Sequence, residues 1–162
     1  KHVIAHTDAA SVDVVEIDPV VTRIARRWFY LDELIQEFKT EQTGRLNLIR
    51  ADALSFMRYA TSTYDVIVDD VFAAGTPDLA LVDGEGAKAA HRLLSGGGLY
   101  IANVVAYEGD LTILQATAEN LAREFAQVSV IPCTDDELSD DDNYLVVATD
   151  GSYEFTDAIT QA

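Results

Sequence analysis

The chain is short of sulfur, of basic residues and of long apolar runs, and each shortage narrows what it can be. A single cysteine, Cys133, in 162 residues excludes an intramolecular disulfide. The fold therefore rests on its core, and a reducing cytoplasmic setting with Cys133 as a buried, inert thiol is the expectation. Only 11 Lys and Arg stand against 28 Asp and Glu, for a formal net charge of -17. A nucleic-acid binder needs a basic face for phosphates, and this composition has none to offer. Excess acid favours solubility and draws in cations, amines included. No apolar stretch approaches a membrane span, and the first residues have no signal-peptide pattern. Three histidines, His2, His6 and His91, are too scattered for a metal centre or a Ser-His-Asp arrangement, and His91 reads as structural.

What remains is ordinary for one α/β domain, with 49% hydrophobic and 24% charged residues. Buried-strand signals recur at residues 12–17, 46–49, 64–68, 99–105, 128–131 and 144–148. Helical periodicity lies between most of them. Pro19 is placed to begin a helix that carries Val21, Ile24, Ala25, Trp28, Ile35 and Phe38 on one face. Leu81, Val82, Ala87, Ala90, Leu93 and Leu94 form a second apolar stripe, with Gly96, Gly97 and Gly98 as its stop. Leu114, Ala118, Leu121, Ala122 and Phe125 form a third. Such alternation predicts a mostly parallel sheet with helices on both faces. The last two strands break it. They are joined by the acidic segment 134–143, too short for a crossover helix, so they read as an antiparallel hairpin at a sheet edge. That segment lacks the alternating ligands and central glycine of a calcium loop and reads as a solvated tip. The tail after Asp150 is expected to add a short helix.

In open α/β sheets ligands bind beyond the carboxyl ends of the strands. Three strands end there in acid: Glu16 with Asp18, then Asp52, then Asp69 with Asp70. Glu16 can accept hydrogen bonds from both hydroxyls of a ribose. Asp52, at a strand-to-helix turn, has two readings, an acceptor for an adenine amine or the cap of the helix at Ala53. Asp18, just before Pro19, reads as an N-cap. Asp69 would face the reacting centre and accept a proton or hold a positive charge. The pair of aspartates in "VIVDDV" also suggests a magnesium-binding receiver domain, but no lysine follows a later strand as that reading needs.

The segments "VDVVEIDPVV", "LIRADALSFM", "YDVIVDDVF" and "HRLLSGGGLYIANVV" resemble, in order and spacing, successive motifs of the spermidine synthase-like branch of the class I S-adenosylmethionine-dependent methyltransferase superfamily. The resemblance implies a Rossmann-like fold with an antiparallel C-terminal hairpin. It places Glu16 on the ribose, Asp52 and Ala53 on the adenine, and Asp69 as the acid that deprotonates an attacking amine, with no metal. The co-substrate it implies is decarboxylated S-adenosylmethionine or S-adenosylmethionine, and the partner a putrescine-like amine. Asp70 and Tyr107 are then candidate acceptor contacts, and a homodimer is expected from the family. Two departures stand out. The family's first strand and glycine-rich turn have no counterpart here, Lys1 to Thr7 reading as the end of the helix behind that turn, which implies further chain upstream. And Phe72 stands where spermidine synthases carry a second, diamine-gripping aspartate, so the acceptor stays open. Methyl transfer and a catalytically silent nucleoside-binding or dimerisation domain are the alternatives.

Overall fold

A computed structural model describes residues 1–73, 76–77, 79–107, 109–133, 141–156 and 159–160. The chain divides into two compact units, Lys1–Phe56 and Met57–Ala162. Of the acidic segment 134–143, expected as a hairpin tip, residues 134–140 lie outside the described residues and 141–143 belong to a strand.

The first unit opens with α1 (His2–His6) and β1 (Val12–Val15), followed by α2 (Pro19–Trp28), α3 (Leu31–Glu37), α4 (Thr40–Thr43) and β2 (Leu46–Ile49). Strands β1 and β2 pair in parallel, Val12 opposite Leu46 through Val15 opposite Ile49. Arg45 ties the loop before β1 to β2, its guanidinium donating to the carbonyls of Ala9 and Thr7. Asp18 caps α2 as expected, accepting from Val20 N at 2.7 Å with Pro19 in the first turn. The single helix expected from Pro19 to Phe38 is instead two. Tyr30 sits in the left-handed region at φ 58, between α2 and α3. The run Trp28-Phe29-Tyr30 consists of residues with modest helix propensity, and an Arg26–Asp32 ion pair at 3.2 Å spans the break. The turn re-aims the apolar stripe: Leu34 and Ile35 are buried, whereas Val21, Ile24 and Trp28 on α2 are exposed, Trp28 at 67%.

A further helix, α5 (Ala53–Tyr59), leads into the second unit. There follow β3 (Tyr64–Asp69), β4 (Phe72–Ala73), β5 (Thr76–Pro77), α6 (Gly84–Leu93), β6 (Leu94–Tyr107), α7 (Thr112–Leu121), β7 (Gln127–Pro132), β8 (Asp141–Thr149) and β9 (Ile159–Thr160). Five of these form one sheet in the order β3-β6-β8-β7-β9. Strands β3 and β6 are parallel; β6–β8, β8–β7 and β7–β9 are antiparallel. The α/β class and the antiparallel C-terminal hairpin are thus present. The hairpin's second strand, β8, lies inside the sheet, between β6 and β7. In the described part of the tail, residues 151–156 have no regular structure and Ile159–Thr160 forms the strand β9, where a helix was expected.

The core of this unit is built on alternation. Tyr100, Ala102, Val104 and Ala106 of β6 are buried on one face. Helices α6 and α7 pack on this strand and bury Ala87, Ala90, Leu93, Leu114, Ala118 and Leu121. The Tyr100 ring stacks on Phe125 at 6.3 Å between centroids, and Phe125 meets His91 edge-on at 5.0 Å. His91 is therefore part of the scaffold.

Two expectations need correcting. The three glycines do not cap α6: the helix ends at Leu94 in extended conformation, and the glycines lie within β6. They occupy an irregularity in the ladder, where Tyr64 opposes Leu94 but Val66 already opposes Leu99. Gly97 takes φ +81, and a Cβ on Gly98 would come within 2.9 Å of Asp65 O, so close backbone approach is what demands glycine there. Cys133 is exposed, not buried, because it follows the last residue of β7 beyond the covered part of the sheet.

Substitution of two glycines near the start of α6 separates space from flexibility. Asp83 caps the helix by accepting from Glu85 N and Gly86 N at 3.0 Å. A Cβ on Gly86 would collide with the carbonyl oxygens of Leu81 and Ala80, whereas one on Gly84 meets open space. Gly86→Ala is expected to cost about 1–3 kcal/mol in urea unfolding, and Gly84→Ala to be neutral or to gain about 0.5–1 kcal/mol.

Asp150 gives a pH-dependent prediction. Its carboxylate accepts from Ala126 N at 2.9 Å and contacts His91 Nε2 at 2.7 Å. The Ala126 bond first, and His91 second, hold its carboxyl below the ordinary 3.8. A depressed folded value means that the stabilisation is present above the ordinary value and lost as pH falls through the folded one. In melts across pH, Asp150→Asn is expected to lower the melting temperature near neutrality, with the difference from wild type closing below pH 3.8.

Candidate active site

The acids expected at strand ends divide between the two units. In the first, Glu16 directly follows β1 and its backbone N–H donates to Ile49 O at 3.0 Å, which extends the β1–β2 ladder by one bond. Its carboxylate accepts from Asp18 N at 2.6 Å. That bond sets the direction of a half-buried acid while engaging one of its two oxygens. Asp52 is the N-cap of α5, accepting from Ser55 N at 2.8 Å, and its carbonyl begins the helix by accepting from Phe56 N at 2.9 Å. The capping reading of Asp52 is thus observed, and Ala53 stands next to it as the first residue of α5.

In the second unit, β3 and β6 run in parallel, so both carboxyl ends lie at the same edge. Asp69 is opposite Ala102. Its Oδ2 accepts from the hydroxyl of Tyr100 at 2.8 Å, and its Oδ1 from Val71 N at 3.2 Å. Asp70 Oδ1 accepts from Asn103 Nδ2 at 2.8 Å. Successive side chains on a strand point to opposite faces, and the partners obey the same rule: Tyr100 is on the buried face of β6 and Asn103 on the other. The two aspartates are therefore anchored on opposite faces of the sheet, and Asp70 does not duplicate Asp69. Phe72 begins β4, which pairs antiparallel with β5, and is 38% exposed. Tyr107 ends β6 with 58% exposure and forms an isolated bridge with Asp110.

Tyr100 and Asn103 escaped the sequence reading. Their signal is present in "LYIANVV", two hydrogen-bonding side chains three apart in an otherwise apolar strand. Tyr100 is 0% exposed. Burial first, then the negative charge of Asp69, then the hydrogen bond to it push the phenol well above 10.0. It is a neutral donor at any working pH. Among the described residues there is no group of three or more His, Cys, Asp or Glu suited to a metal ion, and no helix long and apolar enough to cross a membrane.

The model of the spermine/spermidine synthase domain matches residues 1–137. The chain belongs to that family. Its fold is similar to that of a probable spermidine synthase from Corynebacterium glutamicum ATCC 13032, with a TM-score of 0.68 at 22% identity over 94% of this chain and 61% of that one. It is similar as well to the spermidine synthase of Thermotoga maritima, with a TM-score of 0.65 at 18% identity over 88% of this chain and 46% of the other. Human methyltransferase-like protein 13, solved in complex with SAH, gives a TM-score of 0.68 at 23% identity over 91% of this chain and 64% of that one. No curated protein matches the chain. The chain thus spans 61% and 46% of the two synthases' lengths. The fold is the Rossmann-like fold shared by this family and the methyltransferases.

Asp52 allows its cap to be separated from any ligand role. Asp52→Ala is expected to cost about 0.5–2 kcal/mol of stability, and Asp52→Asn much less, since Asn also caps. Urea unfolding of both variants checks this. Equal losses would mean that the charge, not the cap, is what the fold uses.

Proposed function

We propose that the chain is a transferase that uses an S-adenosyl donor and an amine acceptor, with Asp69 as the proton acceptor. The observation that carries this reading is the Tyr100–Asp69 hydrogen bond at the carboxyl end of β3, which presents one oriented carboxylate where a family member needs its base. Aliphatic amines are protonated at neutral pH and must lose a proton to become nucleophiles. Asp69 binds the ammonium, takes its proton, and the freed nitrogen attacks the carbon beside the donor's sulfonium. The carbon–sulfur bond breaks, and its electron pair stays on sulfur as a neutral thioether. Alignment of amine and sulfonium contributes the rest. Glu16 is assigned to the ribose, and Asp52 with Ala53 to the adenine. The net charge of -17 draws the cationic acceptor and donor toward the protein.

With decarboxylated S-adenosylmethionine the group transferred is aminopropyl and the product methylthioadenosine. We favour this reaction from the family. Methyl transfer from S-adenosylmethionine, leaving S-adenosylhomocysteine, is the second reading, supported by Phe72 in the place of a second gripping acid and by the likeness to a methyltransferase bound to SAH. Asp70 and Tyr107 are assigned to the acceptor, Asp70 on the face opposite Asp69, so a diamine held by two acids on one face is not the favoured substrate.

Calorimetric titration of methylthioadenosine and of S-adenosylhomocysteine into wild type and Glu16→Ala tests the donor site. Binding is expected in wild type and at least a tenfold loss in the variant, on the order of one charge-assisted hydrogen bond. The tighter-binding product identifies the transfer reaction. With the matching donor and a panel of amines, Asp69→Asn is expected to lower kcat by about 10²–10⁴-fold. An Asp69→Asn enzyme as fast as wild type would rule out the base assignment.

A further inference from the structure

The hydrogen bond between Tyr100 and Asp69 has an unusual asymmetry. Its acceptor is half-buried at the sheet edge, whereas its donor is completely buried beneath it. The tyrosine ring is fully buried. Its ring stacks on Phe125 at an interplanar angle of 26°, and Phe125 is itself pinned edge-on by His91. His91 is anchored in turn by Asp150, which the Ala126 N–H also holds. His91 in α6, Phe125 in the loop between α7 and β7, and Asp150 directly after β8 thus support the ring that carries one hydroxyl. That hydroxyl is aimed at Asp69 Oδ2 from 2.8 Å.

We propose that Tyr100 is the positioning residue of Asp69: its buried hydroxyl fixes the direction of the carboxylate and sets that group's affinity for a proton. A hydroxyl that donates to the ionised acid and cannot donate equally well to the protonated form favours the ionised one. Val71 N donates to the other oxygen from the strand's own continuation. A donor held in this place favours the charged carboxylate over its protonated form. This deepens the reading of Asp69 as the acceptor's base and rests on it for the catalytic consequence; the coupling of the two side chains does not depend on it.

The ionisable surroundings make the coupling separable. Asp70 follows Asp69 but is held by Asn103 on the other face. Asp65, at the far end of β3, accepts from Ser95. On β6 the other phenol is Tyr107, and on β8 Tyr144 lies opposite Val104, with Asp141 and Asp142 opposite Tyr107 and Ala106 by register. On α6, Lys88 pairs with Glu124, Arg92 donates to the carbonyls of Met57, Arg58 and Ala60, and His91 lies behind Phe125. Removal of a single hydroxyl from position 100 changes none of these.

The test is a carboxyl-carbon NMR titration of Asp69 in wild type and in Tyr100→Phe, with Asp70 as internal reference. Loss of a hydrogen bond to a charged acceptor is expected to raise the Asp69 midpoint by about one pH unit or more and to leave that of Asp70 in place. An Asp69 midpoint that stays put, or one that moves together with Asp70, overturns the proposal. Should Tyr100→Phe fail to fold, Asp69→Ala gives the same answer from the other side. The Tyr100 hydroxyl proton should then exchange with water measurably faster, and unchanged exchange overturns the coupling. In amine-transfer assays of Tyr100→Phe, the acidic limb of kcat/KM is expected to move up by the same amount. If the NMR midpoint moves and the limb does not, Tyr100 still positions Asp69, and it is the assignment of Asp69 as base that falls.

Discussion

The parallel pairing of β3 with β6 is the constraint on which the candidate site depends. It places Asp69 opposite Ala102 and brings Tyr100, two residues back on the same face, within reach of the carboxylate. A one-residue slip in this register would turn Asp69 to the face of Asn103 and strand a buried phenol without its acceptor. The register is protected by the glycines of β6, which absorb an irregularity between Tyr64 and Val66. Gly98 lies against Asp65 where no side chain fits. Thr149 secures the same stretch by donating to Gly98 O at 2.8 Å, and Tyr153 by donating to Gly97 O at 2.9 Å. A segment that resembled a helix stop in the sequence is thus a register device for the acid at the other end of β3.

The same logic explains why the core is so apolar around one phenol. Tyr100, Ala102, Val104 and Ala106 form a buried stripe of small residues broken by a single large one. Alanines let α6 and α7 approach the strand, and the tyrosine fills the space with its ring while carrying a polar tip to the sheet edge. Its burial stabilises the fold, and its hydroxyl avoids the cost of an unpaired polar group by donating to Asp69. Structure and proposed chemistry therefore meet in one side chain.

Most of the fold was legible in the sequence because its strands are buried and their ends chemically marked. The strand 46–49 was placed at its exact bounds, most others within three residues at each end, and the cap at Asp18 follows from an acid directly before a proline; β6 starts five residues before the expected 99 because the glycines belong to it. What escaped did so for identifiable reasons. Periodicity ran unbroken from Val21 to Phe38, and nothing in it announced that Tyr30 would adopt a left-handed conformation and divide the helix. Gly96 to Gly98 carry no side-chain signal, so a helix stop and a strand irregularity look alike. Cys133 was assigned to the interior on residue type alone, whereas its place after Pro132 at the end of β7 leaves it exposed. At the site, acids at strand ends were visible, but their partners were not: Tyr100 and Asn103 matter through cross-strand register, which only the folded sheet supplies.

The account stands or falls on where an amine sits. A crystal structure of the protein with methylthioadenosine and a primary amine would show it directly. The account predicts the amine nitrogen within about 3 Å of Asp69, with Tyr100 still donating to the other side of the carboxylate. An amine bound away from Asp69, or an Asp69 turned from it while the nucleoside is in place, would contradict it.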